Sequence, residues 1–288
     1  MAEIAASLRT RSARPARIHL RHALVYTVLS LGSIAMVFPF VWMVASAFKN
    51  ATQINAIPPV WLPNPITLVN FRSVWGDLDL LRLFANSLFL SSLITMIALY
   101  TSTVVGYALA KYRFPGRDAF FLAIIATMMI PWPATLVPIY QVCLKAGLLN
   151  NWGGVVVPSL FSTFGIFMMR QFMHSIPNDM CDAAHIDGCS DWGTFHRIVL
   201  PNCRSGLGAL GIFTFMWHWD NFLWPLIVLT DEKLYTLPIG IAYYVGQYFT
   251  NIGPVLAAAT LAVAPVLVAF LAFQSQIVQS MTLTGLKG

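Results

Sequence analysis

The sequence predicts an all-α integral membrane protein with six transmembrane helices. Three observations carry that expectation. The 288 residues are 58% hydrophobic and only 10% charged, against about 25% charged in a soluble domain. Six runs are long and apolar enough to cross a hydrocarbon core about 30 Å thick, which takes roughly 20 residues of helix. The basic residues crowd onto alternate connections, as in a chain threaded back and forth through a membrane.

The first run lies within Ala23–Phe48 and carries no charge. The second lies within Phe84–Ala110. The third, within Ala119–Val142, contains Pro131, Pro133 and Pro138. These prolines bend or break a helix, which a membrane tolerates where neighbours satisfy the freed carbonyls. The fourth is Gly153–Met169. The fifth, about Gly206–Leu229, is interrupted by His218 and Asp220. The sixth, about Ile252–Phe273, holds Pro254 and Pro265.

Arg9, Arg11, Arg14, Arg17 and Arg21 precede the first run. Lys111, Arg113 and Arg117 follow the second, Arg170, Arg197 and Arg204 follow the fourth, and Lys287 follows the sixth. These positions hold twelve of the seventeen basic residues. The positive-inside rule then puts both termini and the long fourth connection in the cytoplasm. Residues 1–22 are expected to be a cytoplasmic arm, 23–273 the six-span domain and 274–288 a cytoplasmic tail. A basic arm also suits nucleic acid, but the apolar run that follows at once favours a topological role. The first run is too long for a signal-peptide core, and Lys49 follows it rather than a small-residue cleavage site. Cys143, Cys181, Cys189 and Cys203 show no paired or metal-ligand spacing. Three of them fall on the expected cytoplasmic side, where thiols stay reduced. Neither a disulfide nor a metal site is expected.

The connection 175–201 is polar yet patterned. Pro177 and Asn178 are helix-start signals, and Asp179 and Asp182 follow where the helix dipole favours acid. Met180, Ala183 and Ala184 form a small apolar stripe, and Gly188 is a helix stop. Ser190 or Asp191 caps a second short helix, with Phe195, Ile198 and Val199 on one side and Pro201 at its end. The first helix is acidic and has no Lys or Arg. It suits a protein groove better than an anionic lipid surface.

Asp182-Ala-Ala-His-Ile-Asp-Gly188, followed by Phe195 and Leu200-Pro201, resembles the EAA loop of permease subunits of binding-protein-dependent ABC importers. Asp182 stands where that motif has glutamate, and Cys189 where it has alanine. Phe114-Pro-Gly-Arg117, Ile130-Pro131 through Pro138-Ile-Tyr140, and Trp219–Pro225 are similar to the family's inner loop, third span and fifth span. Thr284-Gly-Leu-Lys-Gly288 resembles the tail of the carbohydrate-uptake branch. The resemblance implies a type I ABC importer permease fold in a bacterial or archaeal cytoplasmic membrane. It also implies a homologous second permease subunit, two ABC ATPase subunits that bind ATP and Mg, and an extracytoplasmic solute-binding protein that delivers a sugar. No GxxxxGK[ST] phosphate loop occurs in the sequence, so hydrolysis is expected on the partners, and this chain is expected to hold no cofactor or catalytic residue.

By the same resemblance, Asp179, Asp182, Ala183, Ala184, Ile186, Asp187, Gly188, Phe195 and Pro201 couple the chain to its ATPase. Trp217, Trp219, Asp220, Asn221 and Trp224 are candidates for the translocation pathway. A charge deep in a span usually faces a bundle interior or water, and tryptophan faces suit sugar rings. Tyr243, Tyr244 and Tyr248, in an uncharged outer loop, are candidate contacts for the binding protein. An ABC importer of an osmolyte or a glycerophosphodiester would share all of this but the tail. A secondary transporter needs paired intramembrane ionisable groups, and only Asp220 qualifies.

Overall fold

The structure, a computed structural model, describes residues 16–247 and 251–285. Arg9, Arg11, Arg14, Tyr248 and Lys287 lie outside the described residues. Among the described residues the regular structure is all helical, with no strand. In order they form α1 (Ala16–Ala47), α2 (Leu80–Lys111), α3 (Arg117–Thr127), α4 (Trp132–Lys145), α5 (Thr163–His174), α6 (Asn178–Ile186), α7 (Asp191–Asn202), α8 (Arg204–Trp219), α9 (Leu223–Val228), α10 (Leu237–Gln247) and α11 (Ile252–Gly285). Short helical turns at Ala51–Ile54, Val69–Asp77 and Gly153–Val156 lie between them. The described residues pack as two units, one of 16–71 with 252–260, the other of 72–247 with 251 and 261–285.

In the first unit, no residue in the most apolar stretch of α1 is buried among the described residues. Such a continuous apolar surface calls for lipid or another subunit. Beyond the end of α1, Lys49 is fully buried. Its ammonium donates to Ser46 Oγ at 3.0 Å and lies 3.9 Å from the ring centre of Trp42, so a hydroxyl and a π face replace water around the charge. Asn70 donates to the carbonyls of Ala47 and Lys49 at 2.9 and 2.7 Å, satisfying groups freed by the helix end.

The second unit is centred on α2, with α5 and α8 packed against it. Lipid tails are as apolar as leucine, so helices here associate through close packing rather than water exclusion. The buried face of α2 is built for that. Ser87, Ser91, Thr95, Ala98, Ser102 and Gly106 recur every three or four residues and are buried. A Cβ on Gly165 of α5 would stand 2.4 Å from Ser102 Oγ, and one on Gly106 would stand 3.0 Å from Met169 Cβ. Polar groups of α2 hold the breaks of neighbouring segments. Thr101 donates to the carbonyl of Leu160 at 2.7 Å, Asn86 to those of Lys233 and Tyr235 at 2.9 Å each, and Ser87 Oγ accepts from Leu237 N at 2.7 Å.

Several expected boundaries move. α1 starts at Ala16, inside the expected arm. The third run is two helices bent by 101°. The break falls before Pro131, whose extended backbone starts α4 with Pro133 in its first turn, while Pro138 stays inside the helix. The fourth run lies within one candidate span, Gly153–His174, which tightens to a 3-10 turn at Val157–Ser159 before α5 begins at Thr163. The fifth stops at Trp219 and restarts at Leu223. Pro201 does not end the second loop helix, because the turn before it widens into a π-helix over Phe195–Val199. Leu200 N–H reaches back five residues to the Phe195 carbonyl, which accommodates a proline that offers no N–H. α11 continues to Gly285, through most of the expected tail.

Candidate functional site

The α6–α7 segment is clamped at both ends. Lys111, at the end of α2, donates to the carbonyl of Ile176 and to Asn178 Oδ1, the latter at 3.0 Å. This ties the start of α6 to the bundle. At its other end Gly188 has φ +82°. Gly188 N–H bonds the His185 carbonyl at 3.0 Å and Cys189 N–H the Ala184 carbonyl at 2.9 Å. This pair of bonds is a Schellman stop, which requires a left-handed residue. Ser190 Oγ then accepts from Gly193 N at 3.2 Å as the cap of α7. His185 Nε2 lies 3.1 Å from Asp191 Oδ1 and braces the corner. α7 meets α8 at 79°.

Beneath the segment, Cys181, Phe195, Val199 and Cys203 are buried with Tyr107, Met169, Met173, Ile176 and Leu210. The Phe195 and Tyr107 rings lie 5.1 Å apart. Burial, with hydrogen bonding to Tyr107 and Asp191, pushes the Tyr112 phenol well above its usual range. Burial also raises the Cys181 thiol, and raises Cys203 to about 11.

The structure separates the coupling candidates. Asp179, Asp182, Ala183, Ile186, Asp187 and Gly188 are exposed together, with Ile186 87% accessible. Ala184 and Phe195 are buried within this chain and Pro201 is half-buried, so the two alanines do not share one outer face. Met180 and Trp192 add exposed apolar surface beside the carboxylates. Trp192 was not singled out from sequence, nor was the inward role of Cys181. The i, i+3 pair Cys181 and Ala184 was the available signal for the buried face.

The pathway candidates separate as well. A cavity of about 610 Å³ opens between the break before α5, α8 and the start of α4, and Trp217 lines it. Trp219 and Trp224 do not; each is only 2% exposed. Trp219 packs on Phe84 and Phe215, and Trp224 donates to the Gly154 carbonyl at 3.0 Å. Asp220 is the C-cap of α8, with its N–H on the Met216 carbonyl at 3.1 Å, and neither it nor Asn221 lines the cavity. Of the tyrosines, Tyr243 is exposed and stacks on Tyr235. Tyr244 is buried, and its hydroxyl donates to Asp77 at 3.1 Å.

A family model described as the binding-protein-dependent transport system inner membrane component matches residues 102–283. The chain belongs to this family. The matched region runs from α2 into α11 and contains the helix pair and all the cavity-lining residues except Ala98. Among relatives, the permease is 35% identical over 88% of its length to the arabinooligosaccharides transport system permease protein of Halalkalibacterium halodurans, covering 91% of that protein. It is 32% identical over 89% of its length to the lactose transport system permease protein of Rhizobium radiobacter, covering 93%. Among solved structures, a bacterial ABC transporter importing the acidic polysaccharide alginate superposes with a TM-score of 0.82. That match has 20% identity and covers 92% of this chain and 99% of the other. At that identity the likeness establishes the fold of this multi-pass inner-membrane permease.

Proposed function

We propose that this permease is one of two membrane subunits of an ATP-driven importer that carries a sugar delivered by an extracytoplasmic binding protein. The relatives named for arabinooligosaccharides and lactose support the sugar. The observation that carries the coupling role is α6, a short rigid helix that turns an acidic and apolar face outward while its other face is anchored on the ends of α2, α5 and α8. Both termini and the α6–α7 segment lie in the cytoplasm, six spans cross the membrane, and ATP and Mg bind on two partner ATPases.

Closure of the ATPases on ATP moves the groove that holds α6. The segment moves as a lever, held together by the packing of Phe195, the Schellman stop and the Lys111 tether. α5 and α8 follow and change access to the pathway. Burying Ile186, Met180 and Trp192 at about 25 cal/mol per Å² gives a few kcal/mol gross. Coupling needs that contact to differ between the two states.

Gly188→Val tests this directly. A β-branched residue at φ +82° is strained, so the corner between α6 and α7 opens. The expected result is loss of substrate-stimulated ATP hydrolysis in the assembled importer, with membrane insertion intact. Normal transport by Gly188→Val would contradict the lever.

A further inference from the structure

We propose that Arg170 is the positioning residue through which motion of the α6–α7 segment, received by α5, reaches α3 and, through the bend, α4. This rests on the lever proposed above and names its next link. α5 presents two faces. Met169 and Met173 enter the buried cluster with Phe195 and Cys181 under the segment. Phe167 and Arg170, three residues apart and so on one side of the helix, meet α3. α5 stands between the segment and α3.

α3 is lightly seated. No side chain along Arg117–Thr127 is buried, and Phe120 and Leu122 are exposed. Its seam with α5 has two layers. The Phe121 and Phe167 rings stack 6.3 Å apart at 8°. The Arg170 guanidinium lies 3.8 Å from the Phe121 ring centre. Only 14% of the Arg170 side chain is exposed, and a cation over a ring is held most strongly where water is excluded. The ion pair with Asp118 is the weaker contact. It spans 4.0 Å, Asp118 is 76% exposed, and Arg117 already holds that carboxylate at 2.9 Å. Exposed pairs of this kind contribute little.

The same guanidinium is anchored on α2. Its Nε donates to the Leu109 carbonyl at 3.4 Å. Leu109 is among the last four residues of α2, whose carbonyls lack partners within the helix and form the negative end of its dipole. The backbones are pressed together at the same level, since a Cβ on Gly106 would stand 3.0 Å from Arg170 N. One side chain thus joins α2, α3 and α5 beside the buried cluster. Methionine here fills space without holding the carbonyl or the ring. Lysine keeps a cation but lacks the planar fork that serves both. α3 leads through the 101° bend into α4, whose first residue, Trp132, lines the cavity. Without the tether, α5 moves and α3 lags.

The test uses the complete importer in lipid vesicles on a Cys189→Ser background, with nitroxide labels at Leu122→Cys on α3 and Gln171→Cys on α5. Both positions are exposed. The distance between the labels is read by electron paramagnetic resonance with and without ATP. With Arg170 in place it is expected to stay constant, because the two helices move together. In Arg170→Met it is expected to shift with ATP by about 1–2 Å, the scale of helix displacements in such transitions. Phe121→Leu should reproduce that shift, Arg170→Lys should reduce it, and Phe120→Leu, on the exposed side of α3, should show none. A thiol cross-link from Ile186→Cys to the ATPase, made in parallel on each background, reports the lever itself. A constant distance in both Arg170→Met and Phe121→Leu, with a cross-link that still responds to ATP, would overturn the role of Arg170 and leave the lever standing. So would a shift with Arg170 in place. A cross-link insensitive to ATP with Arg170 in place would overturn the lever and this inference together. If Arg170→Met does not assemble, Phe121→Leu decides by the same criterion.

Discussion

Cys189 sits on the outer side of the α6–α7 corner, half-buried, while Cys181 and Cys203 lie fully buried in the cluster beneath it. Burial raises both inner thiols, Cys203 to about 11, so near neutral pH they remain protonated and sterically shielded. The thiolate is the reactive species. Maleimide at pH 7 is therefore expected to label Cys189 in the native protein, and Cys181 and Cys203 only after denaturation. Fast native labelling of Cys203, read by mass spectrometry of its peptide, would contradict the packing under the segment. The same cluster shows where residue-level inference from sequence stops. Gly188 was legible, because a glycine after a helical stripe names its own left-handed stop. Phe195 was assigned to the coupling surface because a motif gives position along the chain but not which body covers the ring. Here the body is Tyr107, on a helix 88 residues earlier in the sequence.

At the scale of elements, the helices hold together through what they lack. α2 presents hydroxyls, an alanine and a glycine to α5, and Gly165 answers from the other side with no room for a side chain. Gly165→Leu forces the two helices apart. Overpacking of this kind costs about 1–3 kcal/mol. A lower apparent Tm in detergent is expected, together with loss of assembled permease, while the equally sized change Gly32→Leu, on a helix face with nothing within 4 Å, leaves Tm in place. Equal Tm values for the two variants would contradict the close approach. Apolar runs located these helices well, because length and hydropathy are local properties. Their breaks were legible in part. The three prolines foretold the bend between α3 and α4, and His218 and Asp220 marked the interruption in the fifth run, where α8 ends at Trp219. Pro201 misled. A proline normally ends a helix, yet the π-turn before it keeps the chain helical to Asn202.

At the scale of the whole molecule, three surfaces of the described residues stand open. The most apolar stretch of α1 has no buried residue among those described, the cavity beside Trp217 is open, and α6 shows Ile186 and Met180 to solvent among aspartates. The first calls for lipid or another subunit, and the second opens beside Trp217. The docking proposed for α6 would pair the third with a protein groove of basic and apolar walls. The decisive measurement is site-directed cross-linking in the assembled importer, on a Cys189→Ser background. Ile186→Cys, treated with a short bifunctional thiol reagent, is expected to join this chain to the ATPase subunit, with a yield that changes when ATP is bound. Phe195→Cys, facing the interior, should give no such product. An ATPase cross-link that is absent at Ile186→Cys, or unchanged by ATP, would contradict docking and lever motion at α6.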